Sequence, residues 1–461
     1  MEYIFLKKLF LLSTLITISA HAITFYEDSA THQIFTQPGD GRVAIGDYVK
    51  KSNINKEITS TVLNTSKKMR PKITIVDQGS PEFLLGKQTH INMKFVADDN
   101  PDMWLKAGVR IQGSFVNLQT DYNDVTKSDT DLMDSYLRRV RFEVAAGFNK
   151  MTSFVMDVRN DKANYGLSNG EGTFNVGDAY VKIKKPFDTS LVNFKLYRAK
   201  IDVSRTETVK SARTIVYDRP HIADEAAQYI SHNRRATNAQ MYGDYKKKIH
   251  YQVAFGDATH NSKLKDSTGA KATGSAEDQS YFFGGKVVLS PFDGWEEKKK
   301  TETYFGEGKH FSLGAGYWNV LTTKGKTDAN ADYNLNHELI NIEASGHYEG
   351  LFAQAEYFKF KDVVKDWSAA TIEKGKSDGW YATSEYVMKE LNYIAPFVRY
   401  ETWDKYKGGG DYTLTSKMAG INWYLMGNTI KAGLIYQEDE YGKDIGDKKI
   451  TSMRVASQFF F

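Results

Sequence analysis

From residue 103 to the C-terminus, apolar and polar residues alternate in runs separated by polar segments. That period of two marks strands with one apolar face. The last stretch, 450–461, reads ITSMRVASQFFF and sets Met453, Val455, Phe459 and Phe461 on one parity, Arg454, Ala456 and Gln458 on the other. A free edge strand tipped with three phenylalanines invites aggregation. The pattern therefore predicts that this strand pairs with the first and closes a barrel whose apolar face meets lipid. The first strand places Leu105, Ala107, Val109, Ile111 and Phe115 outward and Lys106, Arg110, Gln112 and Ser114 inward. The second, YLRRVRFEVAAGF, directs Val140, Phe142, Val144 and Phe148 outward and Arg139, Arg141 and Glu143 inward. The third turns Asp157 and Arg159 inward, the fourth Asp178, Tyr180, Lys182 and Lys184, the fifth Arg198, Lys200 and Asp202.

Eleven further alternating runs bring the expected count to sixteen, with eighteen as the alternative; even counts are usual for single-chain bacterial barrels. The expected fold is an all-β, transmembrane antiparallel barrel. Tight turns at 149–150, 246–248, 349–350, 389–390 and 427–428 alternate with long polar loops at 260–279, 322–336, 362–379 and 404–412. This asymmetry puts the short turns and both termini in the periplasm. One connection, 290–309, is too long for a short-turn position. The longest polar stretch, 204–237, joins strands five and six as the third long loop. A loop of this length inside a barrel is usually functional; its place as the third long loop, not its length, is what sets the expectation that it folds into the lumen, and a helical turn or two is expected at 223–230.

Composition changes the picture at the N-terminus. Residues 1–22 read as a signal peptide: Lys7 and Lys8, an apolar run over 9–18, and an A-x-A site at 20–22. Residues 23–100 read as a periplasmic or lumenal extension, with an extra strand at 90–96 as an alternative; 101–461 reads as the barrel. A mean hydropathy of -0.51 would suggest a soluble protein, but only alternate residues of a barrel face lipid. Tyr (28) and Phe (26) are plentiful enough for interfacial girdles. The absence of cysteine excludes disulfides, thiolate metal sites and cysteine catalysis.

Enzymatic chemistry is not legible. Gly166, Ser168 and Gly170 match G-x-S-x-G, but in a polar loop with no helix following. His337 and Glu338 lack a second histidine at zincin spacing. No phosphate-cradling or dinucleotide motif occurs, and no cofactor or nucleic acid is expected. The informative feature is the inward charge. Its basic members are Lys106, Arg110, Arg139, Arg141, Arg159, Lys182, Lys184, Arg198 and Lys200, joined later by Lys286, Arg399, Lys431 and Arg454. Inward acids include Glu343, Glu356, Glu385 and Glu401 on the later strands. The third loop adds Arg205, Lys210, Arg213, Arg219, Arg234 and Arg235. Basic residues along a water-filled pore favour anions over cations.

The segments DSYLRRVRFEV (134–144), GDAYVKIK (177–184), YFFGGKVVLSPF (281–292), DGWYATSEYVM (378–388), APFVRYETWD (395–404) and GINWYLMGNTIKAGLIY (420–436) together resemble the phosphate-selective porin O/P family. The resemblance runs from about residue 100 to the end. It implies a sixteen-stranded barrel, usually trimeric, with the third loop constricting the pore and anions passing along wall arginines. The family's double-arginine motif falls on Arg138, Arg139 and Arg141, and its RYE motif on Arg399; Lys286 stands where the family commonly has arginine.

The expectation is an outer-membrane diffusion porin for small hydrophilic solutes, mildly anion-preferring, with tuning to phosphate-like oxyanions as a further expectation. Its expected partners are outer-membrane lipid and lipopolysaccharide, the barrel-assembly machinery reading the strand that ends in Phe461, two further copies in a homotrimer, and small anions. Two alternatives differ in what they require. A non-selective or cation-preferring porin needs the later-strand glutamates at the narrowest point. A plugged structural or adhesive barrel needs residues 23–100 in the lumen.

Overall fold

The computed structural model describes residues 26–28, 34–35, 42–44, 69–74, 92–98, 100–163, 173–230, 234–257, 276–279, 281–292, 301–305, 309–326, 332–364, 374–407 and 410–460. The expected signal peptide, residues 166–170 and Phe461 lie outside them. Two compact units divide the chain at Ser66 and Lys67. In the first, Tyr26–Asp28 pairs antiparallel with Ile34–Phe35 and with Arg42–Ala44.

The second unit is a closed antiparallel barrel of sixteen strands. In chain order these are β1 (Asn100–Tyr122), β2 (Thr130–Gly147), β3 (Thr152–Ala163), β4 (Asn175–Lys184), β5 (Asn193–Lys200), β6 (Arg235–Tyr245), β7 (Ile249–Asp257) and β8 (Tyr281–Leu289). The others are β9 (Lys309–Lys326), β10 (Asp332–Tyr348), β11 (Leu351–Val364), β12 (Lys374–Tyr386), β13 (Ile394–Asp404), β14 (Thr413–Asn428), β15 (Ile430–Tyr441) and β16 (Lys448–Phe460). A short piece, Ala276–Gln279, adds to β9. The last strand does pair with the first, from Lys448 opposite Tyr122 to Phe460 opposite Arg110. Closure removes the edge that the sequence made hazardous. β1 outruns β16, and the part beyond it pairs with Asn92–Ala97, where the sequence offered an additional strand; that segment pairs in turn with Met69–Thr74.

Along each strand the burial is inverted relative to a soluble protein. On β13, Val398 is 58 % exposed and its neighbour Arg399 is 4 % exposed. Apolar side chains form the outer surface and polar ones the inner, as lipid outside and water inside require.

Two irregularities re-aim the inner row. Opposite Gln112 and Gly113, β2 carries an extra residue between Leu137 and Arg139. This bulge shifts the alternation, so Tyr136 above it and Arg139 and Arg141 below it are all buried. On β4, Gly177 and Asp178 form a second bulge opposite β3. A Cβ on Gly177 would lie 2.3 Å from the Asp157 carboxylate, so only glycine allows that carboxylate to reach the Asp178 amide.

The interior is not uniformly polar. Trp318, Phe358, Phe360, Tyr381 and Trp403 from β9–β13 form a core with Ile201, Val203, Ile222, Ala226 and Ile230 of the β5–β6 connection. That connection holds a short helix α1 (Arg205–Thr208), capped by the Ser204 hydroxyl accepting from the Glu207 amide at 3.2 Å, and α2 (His221–Ile230). Ile222, Ala223, Ala226, Ala227 and Ile230 occupy one face of α2 at helical spacing and are buried. Each buried isoleucine contributes about 2 kcal/mol by leaving water. Arg235, expected on this loop, instead begins β6.

Candidate functional site

The β5–β6 connection meets inward-facing groups of the wall through its backbone. Around residues 211–218 nearly every carbonyl points at a wall donor. Gln112 Nε2 donates to Ser211 O at 3.2 Å, and Gln458 Nε2 to Ala212 O at 2.8 Å. Lys431 Nζ donates to Thr214 O at 2.7 Å and Ile215 O at 3.1 Å. Arg139 Nη1 donates to Tyr217 O at 2.8 Å and Arg399 Nη1 to Asp218 O at 2.9 Å. An irregular backbone must find partners for these groups when buried, and here long polar side chains from the wall supply them.

The later-strand glutamates do the converse. Glu356 accepts the Thr206 amide at 2.9 Å. Glu401 accepts the amides of His221 and Ile222 at 3.0 and 2.6 Å, placing a carboxylate at the N-terminus of α2. Glu385 accepts from Tyr424 Oη at 2.6 Å and Asn422 Nδ2 at 3.0 Å. Glu343 is ion-paired with Lys286 at 3.1 Å. On the loop itself, Glu207 is wholly buried among Lys200, Arg219 and Arg234, at 2.9, 3.2 and 3.4 Å. Burial would raise its pKa, but those cations hold the carboxyl well below the usual carboxylate range.

Two cavities border the loop. The first, about 300 Å³, is lined by eight cationic side chains, Arg110, Arg141, Lys182, Lys195, Lys200, Lys210, Arg213 and Arg235, against four acidic ones, Glu143, Asp157, Asp178 and Asp202. The second, about 360 Å³, is nearly balanced: Arg138, Arg139, Arg219, Arg399, Lys405 and Arg454 face Asp218, Asp224, Glu225, Glu401 and Asp439. Arg139 lines the second and Arg141 the first, two residues apart on β2. Inside the second cavity Asp218 gathers Arg138 at 2.7 Å together with Arg454. In the first, Arg110 pairs with Glu143 and donates to Ser211 Oγ at 2.9 Å. Burial lowers the Arg213 guanidinium pKa. Arg141 grips Asp161 through both nitrogens of its fork, the nearest contact at 2.7 Å.

Among the residues singled out from sequence, Arg110, Arg141, Lys182, Lys200, Lys210, Arg213 and Arg235 share the first cavity, and Arg139, Arg219 and Arg399 share the second. Several lie apart from both linings. Lys106 is on the part of β1 beside Lys94, and Arg159 sits 3.9 Å from Asp157. Arg198 donates to the Gly177 carbonyl at 3.1 Å. Arg205 donates to the Thr301 carbonyl at 2.9 Å, and Arg234 pairs with Glu207 and Asp224. Lys286 is held by Glu343. Parity alone passed over Arg138, the bulged residue of β2, which the family's double-arginine motif names. Parity also missed Lys195, which lines the first cavity from the opposite parity of β5 to Lys200, with Tyr197 at φ 81° between them. The adjacent arginine pair was the available signal for the first; nothing local marked the second.

A closed antiparallel barrel with a polar, charge-lined interior is the architecture of a diffusion channel, which places the protein in the porin class. The family described as phosphate-selective porin O and P matches residues 106–459, and the chain belongs to it. A protein of Aquifex aeolicus (strain VF5), described as uncharacterized, is 26% identical over 412 residues, covering 82% of this chain and 92% of its own. Among solved structures, the outer membrane channel DcaP of Acinetobacter baumannii matches with a TM-score of 0.53 at 11% identity, over 80% of this chain and 99% of that one. At that identity the likeness concerns the fold alone.

Proposed function

We propose that this porin is a passive channel of a Gram-negative outer membrane, exported through residues 1–22 and working as a homotrimer. It passes small hydrophilic solutes with a mild preference for anions. The observation carrying this reading is the first cavity, where eight cations face four acids. A net positive lining lowers the barrier for anions and raises it for cations. Phosphate-like oxyanions belong among the permeants, because guanidinium forks donate two hydrogen bonds at once to such groups. The chain has no part in covalent chemistry on this reading; a solute moves down its own gradient. The role of the β5–β6 connection is to narrow the bore and hold the solute near the basic wall.

A cation-preferring channel is less well supported. It would need Glu343, Glu356, Glu385 and Glu401 together beside the passage; Glu401 does line the second cavity, with its oxygens accepting the two α2 amides, but the other three line neither. The test is the zero-current potential of purified protein in a planar bilayer under a KCl gradient, followed by phosphate titration. A potential favouring chloride, with current reduced by low phosphate, supports the reading. A potential favouring potassium defeats it.

A further inference from the structure

The connection between β8 and β9 stands at the short-turn end of the barrel, yet spans 290–308, while the others at that end, such as 185–192 and 246–248, are far shorter. Its described part, 301–305, is buried inside the barrel unit, with Glu302 and Thr303 fully inaccessible. Glu302 ties the β5–β6 loop at three separate points. Its backbone N–H donates to Arg213 O at 2.9 Å. Its Oε2 accepts the Ile215 amide at 2.8 Å, and its Oε1 accepts the Thr206 hydroxyl at 2.9 Å. The wall grips the same segment from behind. Gln354 Nε2 donates to Glu302 Oε1 at 3.4 Å, Tyr304 stacks on His347 of β10 with centroids 3.5 Å apart, and Phe305 meets Tyr424 of β14 edge-on at 5.2 Å.

The loop and this segment thus meet from opposite ends of the barrel. Together they cover the wall that carries Glu343, Glu356 and Glu385, which are 4 %, 1 % and 1 % exposed. The basic wall of β1–β7 is left beside the open cavity. A buried carboxylate that receives two donors from one loop is costly to remove, because each donor is then left unsatisfied in a dry place. We infer that Glu302 is the positioning residue that fixes the pose of the β5–β6 loop from the opposite mouth, and that by doing so it keeps the wall carboxylates out of the passage. The selectivity of the channel then depends on a residue that touches no permeating ion. This inference rests on the porin reading above.

The experiment compares wild type, Glu302→Ala and Thr206→Val in planar bilayers, each first shown to be folded by its heat-dependent electrophoretic shift. In E302A the single-channel conductance rises and the chloride-to-potassium permeability ratio falls by about two-fold or more, as carboxylates join the passage. Adding Glu356→Gln and Glu385→Gln to E302A restores the ratio and leaves the conductance high. Folded E302A with wild-type conductance and ratio overturns the inference. If E302A does not fold, T206V, which cuts one of the three ties, shifts both readouts the same way to a smaller extent; unchanged values there overturn the inference as well. A wild-type channel without anion preference defeats the porin's proposed selectivity instead, and the difference between wild type and variant still reports on Glu302.

Discussion

Glu401 on β13 caps α2: its two carboxylate oxygens accept the amides of Ile222 and His221 at 2.6 and 3.0 Å. A charged acceptor at a helix N-terminus satisfies two orphan donors and the helix dipole together. The helix in turn carries the apolar face that packs on Trp318, Phe358 and Trp403. One wall carboxylate therefore orients a large part of the loop. Glu401→Ala leaves two buried amides without a partner and costs about 1–3 kcal/mol. The expected outcome is a lower temperature for loss of the folded electrophoretic form, with Glu401→Gln, which keeps one acceptor, falling between.

His221, at the start of α2, has a pH-dependent contact. Its Nε2 lies 3.3 Å from Asp439 Oδ2. Burial disfavours the charged ring, but the hydrogen bond to Asp439 and the charges of Glu401 and Asp439 outweigh it and the opposing Lys405, so the pKa is raised above the ordinary 6.5. A raised folded-state pKa means stability that is fully present below the unfolded value and lost as pH rises through the folded one. The fastening of α2 is therefore firmest below about pH 6.5 and loosens above the raised value. Thermal stability measured from pH 5 to 9 should fall across that window in wild type. The fall should be smaller in His221→Gln.

Lys210 and Arg213 bring loop charge to the first cavity without belonging to the wall. Lys210 pairs with Glu143 at 2.6 Å and is half exposed. Lys210→Glu with Arg213→Glu reverses two of the eight cations there. The chloride-to-potassium permeability ratio should fall several-fold at low salt. The change should shrink in 1 M salt, where the screening length is about 3 Å. An unchanged reversal potential at low salt would place the passage elsewhere.

Gly177→Ala tests the β4 bulge. The added methyl would stand 2.3 Å from Asp157 and 2.6 Å from Arg159, so at least one of those side chains must leave. Expected results are a lower yield of folded barrel and a loss of about 1–3 kcal/mol in stability, measured by denaturant unfolding in detergent.

Much of the barrel was legible because lipid outside and water inside impose a strict period of two. The closing pair of strands, the sixteen-strand count and the polarity of the inner row all follow from that period. Legibility failed where the period breaks. Arg138 joins the inner group only because β2 gains one residue opposite Gly113, and a bulge is set by the partner strand rather than by its own sequence. Lys195 and Lys200 reach one cavity from opposite parities of β5, across the positive φ of Tyr197. Inward aromatics such as Trp318 and Tyr381 make sense only once α2 and Ile201 lie on them. The overlong turn at 290–308 was visible as an anomaly, but the partners of Glu302 sit 87 and 96 residues away at Ile215 and Thr206, beyond any local pattern.

The double pairing of β1 has a mechanical consequence. One edge of that strand carries β16 down to Phe460 opposite Arg110, then Asn92–Ala97 from Met93 opposite Ala107. The beginning and the end of the barrel thus lie in a single file, separated by two positions of β1. A seam between two alternating strands can slide, and a slide of one residue would turn every side chain of β16 to the wrong medium. Here the segment that starts opposite Ala107 bounds the travel: β16 has at most those two positions of β1 before it meets that segment. The stretch before the barrel proper is in this sense a gauge for its closure, fixing how far the last strand travels before it stops.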